Sequence, residues 1–287
     1  MHIWVLRVNC HQRDQVFDIM DKQESQATDI TLAKFYGDDY YKRHIDSSLR
    51  SAFKYADLLS PIFKPQTVVD VGCGRGAWLK AFKDRGAWKL VGYDGAWNTQ
   101  DKMIDQSIKF YCIDLHEPIS LSVAERFDLA MSLEVAEHLK SSSAFNFIQS
   151  LTNLSDVVLF GAAYTKQGGK NHINEQPHTY WANIFSKFDY IPYDFFRPVV
   201  WGDDEISFWY RQNTFLYVKK SSSFTQVLHS AGHSAMEDIS FLDCIHPRLY
   251  EKKLSQLETE QLNRRIAIRV IPKTLRRIAK KLKNLLS

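Results

Sequence analysis

Apolar residues fall in short unbroken runs between residues 60 and 162, and polar, helix-like stretches separate them. The runs predict strands over 67–71, 89–93, 109–113, 127–132 and 156–162. An apolar run without alternation is the mark of a strand buried on both faces. Between and after them, helical spacing predicts helices over 76–85, 99–106, 134–152 and 177–187. Strands alternating with helices indicate an α/β fold, a parallel Rossmann-like sheet with helices on both faces, and ligands outside the carboxyl ends of its strands. Upstream, Phe35, Tyr36, Tyr40, Tyr41, Leu49, Phe53, Ala56 and Leu59 repeat at helical intervals, whereas residues 1–30 show no core pattern. Downstream of Ser221-Ser-Ser223 the alternation stops; a charged helix is expected over 250–263.

The first strand, Thr67-Val-Val-Asp-Val71, runs straight into Gly72-Cys-Gly-Arg-Gly76. Strand, glycine turn and helix together set backbone N–H groups and a positive helix end around one crevice. The spacing is Gly-x-Gly-x-Gly, so the pyrophosphate fingerprint Gly-x-Gly-x-x-Gly is not met, and no Gly-Lys-Ser/Thr follows to make a triphosphate loop. Asp70 would repel a phosphate but suits an ammonium group. Asp94 closes the second strand, where an acid suits two ribose hydroxyls. An amino-acid end, an adenosine end and no phosphate describe S-adenosylmethionine.

These motifs, followed by Cys112-Ile-Asp-Leu115 and Phe127-Asp-Leu-Ala-Met-Ser-Leu-Glu-Val-Ala-Glu-His-Leu139, resemble the class I S-adenosylmethionine-dependent methyltransferases. The resemblance covers about residues 60–220. It implies two more strands, about 190–197 and 212–219, forming the antiparallel hairpin that completes a seven-stranded sheet. Residues 1–59 then form an N-terminal extension and helical lid, 60–220 the cofactor-binding domain, and 221–287 a C-terminal appendage with a basic amphipathic helix. It also implies that Gly72, Gly74 and Gly76 cradle the cofactor with Asp70 and Asp94, that Asp114 and Leu115 meet the adenine, and that Ser132 and Leu133 pass its methionine end.

Glu134, Glu137 and His138 follow the fourth strand at i, i+3 and i+4, which on a helix is one face. Two carboxylates and an imidazole converging there call for a proton or a cation between them. Glu-x-x-Glu-His at this place resembles ubiquinone-pathway O-methyltransferases and the methyltransferases of small-RNA ends. In these a divalent metal sits on the two glutamates, the histidine and a later histidine. That resemblance implies Mg²⁺, Mn²⁺ or Zn²⁺ on Glu134, Glu137, His138 and His172, the last within Asn171-His-Ile-Asn-Glu-Gln176. A polar positioning network without a metal fits the same residues, with His138 or His172 as general base and Glu137 as the acid beside it. Aromatics and paired charges from Trp181 to Asn213 suit a sugar ring or else a core hairpin. His-x-Asn-Glu-Gln and Trp-Tyr-Arg-Gln-Asn are also similar to methyltransferases encoded with surface-glycan enzymes.

Nine Lys and Arg residues and no acid occupy 264–287. Against a net charge of +4, the rest of the chain is mildly acidic, which disfavours nucleic acid as a partner of the site. Leu275, Ile278, Leu282, Leu285 and Leu286 make one stripe among the cations, the pattern of a helix lying on anionic lipid, of a solvated helix docking on the body, or of a nucleic-acid arm. Cys10, Cys73, Cys112 and Cys244 lack a pairing pattern, and no eighteen-residue apolar run exists; both fit a cytoplasmic protein, at the inner membrane face if the tail engages lipid. The expected activity is O-methylation of a small-molecule or glycan hydroxyl. Its rivals are ribose methylation of RNA and a non-catalytic partner that keeps the cofactor.

Overall fold

The computed structural model describes residues 38–117 and 126–270. Its sheet has seven strands: β1 (Thr67–Val71), β2 (Lys89–Asp94), β3 (Lys109–Cys112), β4 (Leu129–Leu133), β5 (Val157–Gly161), β6 (Tyr190–Tyr193) and β7 (Thr214–Lys219). Their order is β3-β2-β1-β4-β5-β7-β6. The first five are parallel; β7 runs antiparallel to both β5 and β6. This is the Rossmann-like methyltransferase sheet expected from the sequence.

The period-two geometry of a strand divides the core in two. Val68, Leu129, Met131, Leu159, Leu216 and Val218 face one side. Helices α1 (Asp38–Leu59) and α2 (Ala77–Lys83) cover them with Tyr55, Leu59, Leu79 and Phe82. Val69, Val71, Val91, Ala130, Val158, Phe160 and Tyr217 face the other. There α3 (Ala144–Leu154) and α4 (His178–Ser186) bring Ile148, Leu151, Trp181 and Phe185. Helix α1 is therefore a layer of the core as well as a flank of the cleft, and no boundary falls at residue 59.

Two predicted helices are shorter than expected. Over 99–106 only a 3-10 turn, Gln100–Lys102, forms. Over 134–152 the chain first makes Glu134 at a left-handed φ of 58°, then 3-10 turns at Ala136–His138 and Ser141–Ser143, and only then α3. The left-handed residue stops helical propagation directly after the strand.

After α5 (Arg197–Val200), α6 (Phe208–Asn213) and β7 comes α7 (Phe224–Ser230), followed by a 3-10 turn at Ile239–Asp243. Phe224, Leu228 and Leu242 are buried in the two core clusters. The first compact unit consequently ends at Asp243, not at the serine run 221–223. The second unit holds α8 (Pro247–Val270). The amphipathic stripe of 275–286 and the segment before residue 38 lie outside the described residues. Among the described residues no helix is long and apolar enough to cross a membrane.

Candidate active site

The glycine turn binds itself to the end of β2. Gly72 and Cys73 both donate to the Tyr93 carbonyl at 2.7 and 3.1 Å. Gly74 N–H donates to Asp94 Oδ2 at 2.6 Å and Gly95 N–H to Asp94 Oδ1 at 2.7 Å. Arg75 donates to Asn98 Oδ1, and the Asn98 amide donates back to the Gly74 carbonyl. Gly72 sits at φ 86°, and a Cβ there would lie 2.2 Å from Val135 Cγ2; only glycine lets the turn approach the loop after β4. Gly76, at φ 83° before α2, would press a Cβ against Ile108.

The turn borders a cleft of about 1070 Å³ including its open mouth. Asp70, Asp94, Trp97, Leu115 and His116 line one part, and Leu133, Glu134, His138 and Tyr210 another. Burial, with the charge of Asp94 beside it, pushes the Asp70 carboxyl up to about 8. Burial also raises Asp94, to about 6, against the pull of its backbone N–H donors and Trp97. Two buried acids side by side repel an anion and reward a cation.

Beyond the β4 end lies a denser polar group. Glu134 Oε1 accepts from Asn213 Nδ2 at 2.8 Å and its Oε2 from Gln167 Nε2 at 3.2 Å. Gln167 Oε1 in turn accepts from Asn213 and Gln212 at 3.0 and 3.2 Å. Burial still lifts the Glu134 carboxyl to about 7. Glu137 is fully buried, and its carboxylate oxygens find no side-chain partner; burial and Glu134 hold its pKa well above the usual range, against the pull of the Glu137 and Ala163 backbone N–H groups. The His138 and His172 rings meet edge-on with centroids 4.8 Å apart. His172 Nε2 lies 4.0 Å from Glu137 Oε1. One donor atom from each of Glu137, His138 and His172 falls within 4.8 Å of the other two. The loop carrying His172 is tied to this turn, since Ile173 and Asn174 N–H both donate to the Glu137 carbonyl.

Residues 41–232 match the model of the family described as "Methyltransferase domain". The chain belongs to this methyltransferase family. Solved structures similar to it include the methyltransferase domain of bacterial CtHen1-C (15% identity, TM-score 0.47, covering 60% of this chain and 98% of that one). Another is an O-methyltransferase family protein from Burkholderia thailandensis (15%, 0.47, 64% and 60%). A third is magnesium protoporphyrin IX methyltransferase from Synechocystis PCC 6803 with bound SAH (16%, 0.44, 65% and 92%). No curated protein sequence matches the chain.

The methyl donor of the methyltransferase is S-adenosylmethionine, and the cleft fits it. Glycine lets backbone close in at Gly72, and the two buried acids favour a cation over an anion. Of the residues expected to touch it, Asp70, Gly72, Gly74, Asp94, Leu115 and Leu133 line the cleft. Gly76, Asp114 and Ser132 do not. Gly76 serves the packing of α2 on Ile108. Asp114, half-exposed, accepts from His116 N–H in a local turn. Ser132 is fully buried, its hydroxyl without a partner.

The methyltransferase also departs from the four-residue cluster read in its sequence. Glu137, His138 and His172 come together, but on a 3-10 turn and a loop and not on an α-helical face. Glu134 stands apart, its carboxylate taken by Asn213 and Gln167. Most of the aromatics read as a sugar platform are core: Tyr190, Tyr193, Phe195 and Phe196 are buried, and Tyr210 alone of that run lines the cleft. Sequence reasoning missed Arg75 with Asn98, His116, and the hub of Gln167, Gln212 and Asn213. A signal for the last was present: two consecutive amides opening the predicted strand 212–219.

Proposed function

We propose that the methyltransferase transfers the methyl group of S-adenosylmethionine to a hydroxyl oxygen of a small molecule or glycan, and that Glu137, His138 and His172 hold a divalent cation, Mg²⁺ or Zn²⁺, beside that oxygen. The buried carboxylate of Glu137, without a side-chain donor and with one ligand atom within 4.8 Å of a nitrogen of each of two imidazoles, carries this reading. A buried carboxylate with no side-chain donor is costly, and a cation offsets the cost. His138 Nδ1 lies 3.2 Å from the Asn171 carbonyl, and His172 Nδ1 lies 2.7 Å from Glu175 Oε1. Both partners only accept, so both Nδ1 atoms carry hydrogen, and the lone pair of His172 sits on Nε2, 4.0 Å from Glu137 Oε1. Such outer hydrogen bonds are how proteins orient metal-binding histidines. Burial and His172 depress the His138 pKa to about 4, which suits a neutral ligand and makes a poor proton acceptor at neutral pH.

Bound there, a divalent cation supplies Lewis acidity that lowers the pKa of an acceptor hydroxyl. The chain does the rest by placement. Asp94 and Asp70 hold the ribose and ammonium ends of the donor, Leu133 borders its methionine arm, and Tyr210, packed edge-on against Trp78 with ring centroids 5.1 Å apart, walls the acceptor side. Alignment of a hydroxyl with the methyl group is the largest part of the task.

Metal content after purification without chelator, read by inductively coupled plasma mass spectrometry, tests the cation. The wild type is expected to retain Mg²⁺ or Zn²⁺ near one equivalent after incubation with that ion, and Glu137→Gln and His172→Ala to lose it with S-adenosylhomocysteine affinity unchanged. Equal metal in all three proteins, or none in any, would refute the site. Transfer of labelled methyl groups to fractionated cell glycans and metabolites tests the acceptor; label appearing only in RNA would refute it.

A further inference from the structure

The second compact unit carries a long helix, α8, whose body is exposed. From Glu251 to Arg265 every residue except Lys253 is exposed. A helix in water gains most of its stability by covering an apolar face, and α8 has such a face. Tyr250, Leu254 and Leu257 stand 59%, 42% and 54% exposed, four and then three positions apart. That is the d-a-d spacing of a heptad, which keeps one seam on one side of a helix. The sequence carries the spacing on, through Gln261 and Arg264, to Ile268, Ile271, Leu275, Ile278, Leu282 and Leu285. Pro272, which has no N–H to give a helix, punctuates it.

The flanking charges say what the seam fits. With Leu254 at a and Leu257 at d, Lys253 and Glu260 fall at g, and Glu258 and Arg265 at e. In a parallel pair of identical helices, g of one copy meets e of the next heptad of the other. Lys253 then faces Glu258 of the partner subunit, and Glu260 faces Arg265 of the partner subunit, each contact made twice by the two-fold symmetry. Lys253 and Glu258 have no opposite charge three or four positions away in their own helix. Gln261, at a, meets its own copy amide to amide, and a polar residue at such a position fixes register and strand number. Arg264, at d, lies 4.0 Å from Glu260 in its own helix. An antiparallel pair matches e with e and g with g; the register that layers Leu254 on Leu257 then opposes Glu251 and Glu258. We propose that α8 is a dimerisation helix, and that its seam is covered by the same seam of a second copy of this chain in a parallel two-stranded coiled coil.

Sedimentation-velocity centrifugation of the full chain tests the pairing. The wild type is expected to sediment as two chains at high micromolar concentration. Leu254→Glu combined with Leu257→Glu puts carboxylates into the seam and is expected to leave a single chain. Neither leucine lines the cleft, so S-adenosylhomocysteine affinity should stay at the wild-type value and report an intact fold. Lys253→Glu sets acid against acid at two symmetric places and is expected to raise the dimer dissociation constant by roughly 2–30-fold. Adding Glu258→Lys restores opposite charges and is expected to recover the wild-type constant, which neither a melted helix nor an antiparallel pair would do. A single-chain wild type, two chains in the leucine variant, or no recovery in the charge-swapped variant overturns the proposal. So does a single-chain wild type that adsorbs to phosphatidylglycerol vesicles through Leu254 and Leu257, which would make the seam a membrane face.

Discussion

Asn213 ties the last strand to the acid after β4, and its removal has a cost that can be worked out. Its side chain donates to Glu134 at 2.8 Å and to Gln167 at 3.0 Å, and accepts from Gln212 at 3.0 Å. All four residues lie at the buried end of the polar cluster. The bond to the carboxylate is worth about 1.5–3 kcal/mol and each neutral one about 0.5–1.5. Asn213→Ala is therefore expected to lose roughly 2.5–6 kcal/mol, a large share of the ~5–15 kcal/mol that holds a domain folded. Gln212→Ala, which breaks the bonds to Gln167 and Asn213 and leaves the carboxylate its donors, serves as the milder comparison at about 1–3 kcal/mol for those two bonds. Denaturant unfolding of Asn213→Ala, Glu134→Ala and the double variant gives the coupling directly. We expect at least about 1.5 kcal/mol between these two positions. Neither residue pair supports the adenosine half of the cleft, so folded Gln212→Ala should bind S-adenosylhomocysteine as the wild type does. A coupling below about 0.5 kcal/mol would show that the amide clamp on Glu134 does not exist in solution.

Gly72→Ala, which forces a Cβ into Val135 at positive φ, should abolish S-adenosylhomocysteine binding in calorimetry; near-native affinity would contradict the closeness of the turn to the β4 loop. The raised carboxyls give a pH signature. Because the folded values of Asp70 and Asp94 exceed the ordinary 3.8, the folded apo protein holds protons that the unfolded chain has released. Their contribution to stability therefore falls as pH rises from the ordinary carboxylate range to about 8, then levels. A ligand cation favours the ionised acids, so S-adenosylhomocysteine affinity should climb over the same window. Asp70→Asn should flatten both trends, and parallel pH profiles in wild type and variant would contradict the assignment.

The parallel strands were legible because a strand buried on both faces writes itself as an unbroken apolar run, as in Val157–Gly161. The glycine turn and Asp94 were legible because few backbones demand Gly-x-Gly-x-Gly after such a run. The stretch after β4 was not. Glu134, Glu137 and His138 have helical spacing, yet Glu134 takes a left-handed conformation that no periodicity records. The reading of convergence survived for Glu137, His138 and His172 because a 3-10 turn also keeps residues close. Asp114 misled for a different reason: a side chain two bonds long can turn back on its own loop, and the sequence does not say which way. The amide hub was hidden because Gln167 and Asn213 are far apart in the chain and neither residue type marks chemistry by itself.

The place of β7 has a consequence for how the enzyme is made. On the ribosome, the glycine turn, Asp94 and the β4 end emerge well before the strand that pairs with β5, and Asn213 follows Glu134 by 79 positions. Until residues 214–219 arrive, the edge of β5, Val-Val-Leu-Phe-Gly, stays open and adhesive, the kind of edge that seeks another chain. Insertion of β7 closes that edge and, through the residue directly before it, ties down the Glu134 carboxylate after β4. Synthesis interrupted before this point leaves a fragment with an open sheet edge and an unclamped Glu134, so the strand that protects the chain from aggregation also completes the polar cluster after β4.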